Sequence, residues 1–142
     1  MLETINEESA KDRDIYVFTN LTGVGNMEVN AFQRGANIVI QKSLREGFGL
    51  VVSEALWKGR PVVAGRAGGI PMQFPDEYQG FLISDVEDCA KQILALLENP
   101  KEQKAFGKAG QEKVRKKFLL PRLMRDELKL ICGVLGSGNR SR

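Results

Sequence analysis

Two glutamates, Glu46 and Glu54, stand eight positions apart with Gly47-Phe48-Gly49-Leu50 between them, and no other stretch of the chain is as well equipped for chemistry. An apolar run, Ile38-Val39-Ile40, precedes them, and Glu54-Ala55-Leu56-Trp57-Lys58 reads as helix before Gly59. The glycines therefore fall at a strand-to-helix junction. Such a junction presents unpaired N–H groups and the positive end of a helix dipole, and it attracts anions. The N–H groups of Gly49, Leu50 and Val51 would hold phosphate oxygens, and the missing Cβ atoms of Gly47 and Gly49 would permit close approach. An ionised carboxylate is acceptor-only, so Glu54, one turn into the helix, suits the two hydroxyls of a ribose. Glu46, in the preceding loop, suits the hydroxyls of a transferred sugar. The ligand so described is a nucleotide-activated sugar. Its departing diphosphate gains charge as the glycosidic bond breaks, which is where preorganised dipoles count most.

A plainer reading fits the same residues: Glu54 as a solvated carboxylate near the helix start, Glu46 paired with Arg45 or Lys42. The spacing alone does not choose between the two. An acid/base pair of the glycosidase kind requires carboxylates facing each other across a bond, and nothing in the sequence indicates that. The chain has no histidine, which removes Ser-His and Cys-His nucleophiles and the usual zinc ligands, and no clustered carboxylates suggest a metal.

These residues need a scaffold, and the surrounding sequence supplies an alternating one. Ile15-Tyr16-Val17-Phe18-Thr19 reads as a first strand and Thr22 to Asn26 as a loop. Met27 to Arg34 reads as a short helix ended by Gly35, and Asn37-Ile38-Val39-Ile40-Gln41 as a second strand. Pro61-Val62-Val63-Ala64 predicts a third strand and Gly80-Phe81-Leu82-Ile83 a fourth. Strands separated by helices pair in parallel through right-handed crossovers, so the fold class is an open α/β sheet. Ligands of such sheets sit beyond the carboxyl ends of the strands, which groups Thr19–Gly25, Lys42–Leu50 and Gly65–Pro71 around one crevice. From Asp85 the period becomes helical, with Val86, Ala90, Ile93, Leu94 and Leu97 on one face and Asp85 as N-cap. Asn99-Pro100 ends that helix and starts another that runs to about Phe118. Leu119 to Leu135 reads as one more, and residues 136–142 as a disordered end.

At 142 residues the chain is about one domain, placed at 1–135 with no linker to a second, and its net charge of +3 gives nucleic acid little support. No apolar run approaches the roughly 20 residues of a membrane helix, and the polar start lacks a signal-peptide pattern, so a cytoplasmic location is expected. Cys89 and Cys132 show no ligand spacing and read as small buried or half-buried thiols. The basic run Lys113, Arg115, Lys116, Lys117 has no aromatic interleaving and reads as a solvated helix face. Trp57 reads as core.

Glu46-x7-Glu54 with its internal Gly47-Phe48-Gly49-Leu50, then Ala55-Leu56-Trp57-Lys58-Gly59-Arg60-Pro61-Val62-Val63 and Gly68-Gly69-Ile70-Pro71, resembles the C-terminal domain of retaining GT-B glycosyltransferases of family 4. Within it, Thr19-Asn20-Leu21-Thr22-Gly23, the stretch from Glu28 to Arg34 and Ser43-Leu44-Arg45-Glu46 are most similar to the trehalose-synthase branch, which joins a nucleotide-diphosphate glucose to free glucose. The resemblance implies a partial, Rossmann-like donor-binding domain followed by C-terminal helices. It implies Glu46 as the catalytic and sugar-binding carboxylate, Glu54 on the ribose, and Gly47, Phe48, Gly49, Leu50 and Val51 on sugar hydroxyls and diphosphate. Asn20 and Gly23 would lie near the base. It further implies a UDP-, ADP- or GDP-glucose donor, a separate sugar acceptor, and transfer with retention and without metal or other cofactor. A non-catalytic module that binds nucleotide sugar or a protein partner is the alternative.

The resemblance also predicts a gap. The family's domain opens with two further βα units that contribute an arginine and a lysine to the diphosphate, and no residue here matches that pair. In the order 3-2-1-4-5-6, the predicted first strand is the third and the next three are the fourth, fifth and sixth. The two strands between them are missing, so a rearranged sheet, a homo-oligomer or association with an N-terminal half is expected.

Overall fold

A computed structural model of the chain describes residues 2–138. They divide into two compact units, one ending at Phe32 and the other beginning at Gln33.

The N-terminal unit begins with helix α1 (Leu2–Ser9) and ends within helix α2 (Asn26–Gly35). Between them, residues 15–19 join no β-ladder, which corrects the predicted first strand. Its β-branched and aromatic composition favours extended backbone, but a strand needs a neighbour to receive its N–H and C=O groups. Ile15, Tyr16 and Phe18 are exposed; Phe18 stacks on Phe32 with ring centroids 5.0 Å apart. A short 3-10 turn, Asn20–Thr22, follows, closed by Gly23 at φ 82°.

The second unit is the α/β sheet. Strands β1 (Val39–Gln41), β2 (Val62–Gly65) and β3 (Leu82–Ile83) run parallel in that spatial order. Val39 pairs with Val62 and Gln41 with Ala64, while Ala64 pairs with Leu82 and Gly65 with Ile83. All of β2 is buried, as a central parallel strand covered on both faces must be. Helix α3 (Leu50–Trp57) makes the crossover from β1 to β2, and helix α4 (Ile70–Gln73) lies between β2 and β3. Helices α5 (Val86–Glu98) and α6 (Pro100–Lys117) complete the packing, α6 against both α3 and α5. Their caps are as the sequence predicts: Asp85 accepts from the Asp88 N–H at 2.8 Å and Asn99 from the Glu102 N–H at 3.2 Å.

Aromatic rings fill the space beside α6. Phe106, fully buried, is stacked on Tyr78 with centroids 4.2 Å apart and flanked by Phe74 and Phe81. Helix α6 approaches α3 closely because Gly107 and Gly110 lack Cβ: one would overlap the Gly59 carbonyl and the other the Leu56 side chain.

Three side-chain expectations are corrected. On α5 the inward residues are Cys89, Ile93 and Leu96, while Val86, Ala90, Leu94 and Leu97 are exposed. Apolar periodicity marked two overlapping stripes, and the sheet edge selects the other one. Trp57, in the last turn of α3, is 43% exposed, because α6 covers Leu56 instead. Cys132 is exposed rather than sheltered, and both cysteines are free. Helix α7 (Leu120–Gly138) runs three residues into the segment expected to be a disordered end, whose residues 139–142 lie outside the described ones. Among the described residues no helix is long and apolar enough to cross a membrane.

Candidate functional site

The turn from Glu46 to Gly49 leads from β1 into α3 at the carboxyl end of the sheet. Gly49 is the N-cap of α3 at φ 82°, a left-handed conformation that a residue with a Cβ takes at a cost. It offers no side chain to the helix start, so the first amides of α3 are capped by no side-chain oxygen. A Cβ on Gly49 would also sit 2.7 Å from Cγ1 of Ile70. Gly47 is different, with nothing within 4 Å of where its Cβ would be. Of the two glycines expected to admit a ligand, Gly47 faces open space and Gly49 accommodates α4.

The turn is held from behind by its carbonyls. The Gly69 N–H donates to the Gly47 carbonyl at 2.7 Å. The side-chain amide of Gln73, fully buried, donates to the carbonyl of Phe48 and, at 3.4 Å, to that of Gly49. A peptide whose C=O is fixed on one side has the adjoining N–H turned to the other, so three consecutive carbonyls tied to the Gly65–Pro71 loop and α4 orient the turn's amides. Gly68, at φ 52°, allows this contact, since its Cβ would overlap the Glu46 carbonyl oxygen. Two of the three loops predicted to share a crevice, Lys42–Leu50 and Gly65–Pro71, are thus in direct contact. The third, with Asn20 and Gly23, belongs to the N-terminal unit. Gln73 was missed in the sequence because it is an ordinary polar residue after Pro71-Met72, and only burial distinguishes it.

Each glutamate has its own setting. Glu46 is half-buried; one oxygen accepts from the Gly47 N–H at 3.0 Å, and the other from the Ser43 hydroxyl at 3.3 Å and the Gln41 amide at 3.5 Å. These neutral donors fix the carboxylate without neutralising it. Neither Arg45 nor Lys42 pairs with Glu46, contrary to the plainer reading of this residue. Glu54 is exposed on the first turns of α3 and accepts from the Gln33 amide at 3.3 Å. The Gln33 oxygen in turn accepts from Lys58 Nζ at 2.6 Å, so a lysine orients the amide that orients Glu54. Phe48 meets Phe118 edge-on, with centroids 5.5 Å apart. Leu50 is exposed and Val51 half-buried, at the open end of α3. Among the described residues no group of three His, Cys, Asp or Glu could hold a metal ion.

A parallel α/β sheet with a glycine turn of this construction at its carboxyl edge, flanked by Glu46 and Glu54, defines a class. The chain belongs to the family described as glycosyl transferases group 1, whose profile matches residues 7–113, and its fold is a partial Rossmann-like GT-B domain with C-terminal helices. Among curated proteins it is similar to trehalose synthase of Rubrobacter xylanophilus, at 56% identity over 125 residues, covering 88% of this chain and 30% of that protein. It is also similar to trehalose synthase of Pyrococcus horikoshii, at 44% identity over 126 residues, 89% of this chain and 30% of that protein. A more distant relative, sulfoquinovosyl transferase SQD2 of Arabidopsis thaliana, is 38% identical over 94 residues, 63% of this chain and 18% of that protein. The chain thus spans about 30% of the length of the first two.

Proposed function

We propose that this chain supplies the donor-binding half of a retaining hexosyltransferase that moves a glucosyl unit from UDP-, ADP- or GDP-glucose to an acceptor, with glucose as acceptor and trehalose as product. The observation that carries the reading is the turn whose three carbonyls are tied down behind it, between two carboxylates that form no ion pair with a described residue. Amides of Phe48 to Val51 hold the diphosphate and sugar hydroxyls, and Gly47 leaves room for their approach. Glu46, fixed by Ser43, Gln41 and the Gly47 N–H, accepts from hydroxyls of the donor hexose and orients its anomeric carbon. Glu54 accepts from the ribose diol. As negative charge gathers on the departing diphosphate, dipoles already aligned on it stabilise the transition state without reorganising.

Catalysis also needs an acceptor held against the donor, and positioning of this kind is worth several kcal/mol of barrier. The isolated chain is therefore expected to bind donor and turn over slowly until an N-terminal half or a second copy completes the cleft. Calorimetry with UDP-, ADP- and GDP-glucose tests the reading. One of the three should bind, and Glu54→Ala should weaken it by about tenfold or more, the usual worth of hydrogen bonds to a charged group. Binding of none, or unchanged affinity in the variant, would refute the donor role and leave a non-catalytic interaction module.

A further inference from the structure

A cavity of about 280 Å³ lies at the carboxyl ends of all three strands, lined by Lys42 and Ser43 after β1, Gly65 and Arg66 at the end of β2, and Ile83 and Ser84 at the end of β3. Two cations and two hydroxyl residues line it, with no carboxylate among them. The Arg66 guanidinium makes one contact, 3.5 Å to the Gln79 carbonyl, and neither Lys42 nor Arg66 forms an ion pair with a described residue. Two uncompensated like charges around one concavity raise its affinity for anions. Its size is at the lower end of the range for small-ligand pockets, roughly 300–1,000 Å³, which suits a sugar phosphate better than a whole nucleotide sugar. Gly65 lets the end of β2 pack directly against the Ser43 backbone in the cavity wall, because a Cβ there would lie 2.5 Å from the Ser43 carbonyl oxygen. Ser43 also donates to Glu46 at 3.3 Å, so the cavity adjoins the carboxylate of the candidate site.

We infer that this cavity is an anion site for a phosphate monoester, with Lys42 and Arg66 as its charged donors and Ser43 and Ser84 at its wall. The inference is independent of the nucleotide-sugar reading, since it uses neither Glu54 nor the amides of α3. Arginine grips a phosphate with two parallel N–H groups and lysine supplies a point charge, so the pair would hold a terminal phosphate from two sides.

Amide NMR of the whole chain, titrated with inorganic phosphate and with glucose 6-phosphate, tests this. The amides of Ser43, Gly65, Arg66 and Ser84 should shift, and Lys42→Ala and Arg66→Ala should each weaken binding by about tenfold or more. Tighter binding of glucose 6-phosphate than of phosphate would support the monoester, and equal binding would overturn it in favour of free phosphate. Absence of shifts with either anion at millimolar concentration, or shifts that persist in the double variant, would overturn the site. Calorimetry with the three nucleotide sugars on the same double variant keeps the two readings apart, because Glu54→Ala and not the double variant is the one expected to weaken nucleotide binding.

Discussion

Gly68→Ala perturbs the contact on which the candidate site depends without touching a ligand-facing atom. At φ 52° alanine is in the left-handed region, a cost of about 1–2 kcal/mol. Its methyl would overlap the Glu46 carbonyl oxygen, 2.7 Å from that carbonyl's carbon and 2.5 Å from the Gly47 oxygen. These are backbone atoms, tied by the Gly69 N–H to Gly47 bond of 2.7 Å, so they cannot rotate away as a side chain would. Overpacking of this kind costs about 1–3 kcal/mol more. Together the effects should lower the melting temperature by at least about 6 °C in a unit of this size, read by circular dichroism. Gly47→Ala is the matched control: its Cβ meets nothing within 4 Å and its φ is not positive. Its stability should stay within about 0.5 kcal/mol of the parent, while nucleotide-sugar affinity falls because the methyl occupies space in front of the turn. A Gly68→Ala protein melting within 1 °C of the parent would refute the tight loop-to-loop contact, and with it the argument that the turn's amides are oriented from behind.

Gln73→Leu should cost about 1–3 kcal/mol, because the Phe48 carbonyl loses its donor and the Gly49 carbonyl keeps only the Val52 N–H at 3.0 Å. Gln73→Glu should cost more, since a carboxylate would then face carbonyl oxygens; urea unfolding ranks the two. Glu112 accepts from Arg115 at 2.7 Å and pairs with Lys116 at 3.0 Å, which holds its carboxyl at about 2, below the ordinary 4.5. The pairs should therefore contribute their stabilisation fully above pH 4.5 and lose it as the pH falls through about 2. A carbon-detected titration of the Glu112 carboxyl checks this, and high salt should move the midpoint back toward 4.5. A midpoint near 4.5 at low salt would show that the ion pairs do not form in solution.

The parallel strands and capped helices were legible because their signals are local: β-branched runs around Val39, Val62 and Leu82, and the side chains of Asp85 and Asn99 three residues before the amides they receive. What failed is what neighbours decide. Ile15 to Thr19 has the composition of a strand, but a ladder requires a partner strand, and none of the described residues provides one. The α5 stripe was misread because Leu94 and Leu97 are as apolar as Leu96, and only the position of the sheet selects the last. The glutamates and their glycine turn could be found from spacing, whereas Gln33, Gln41 and Gln73 could not. An amide has no propensity or charge signature, and its role exists only once distant segments meet.

The glycines of the turn have separate purposes that the motif alone conceals. Gly49 must be glycine for its own backbone angle and for Ile70, and Gly68 for the carbonyls of Glu46 and Gly47. Those two build the turn. Gly47 alone is unconstrained by sterics or by φ, so the protein's own packing gives no reason for a residue without a side chain there. A glycine costs about 0.5–1 kcal/mol of chain entropy relative to alanine in regular structure, and here no folded-state contact offsets it. On the proposed donor reading the missing Cβ leaves room in front of the amides, so Gly47→Ala is the substitution that separates ligand approach from folding: affinity should fall while stability holds.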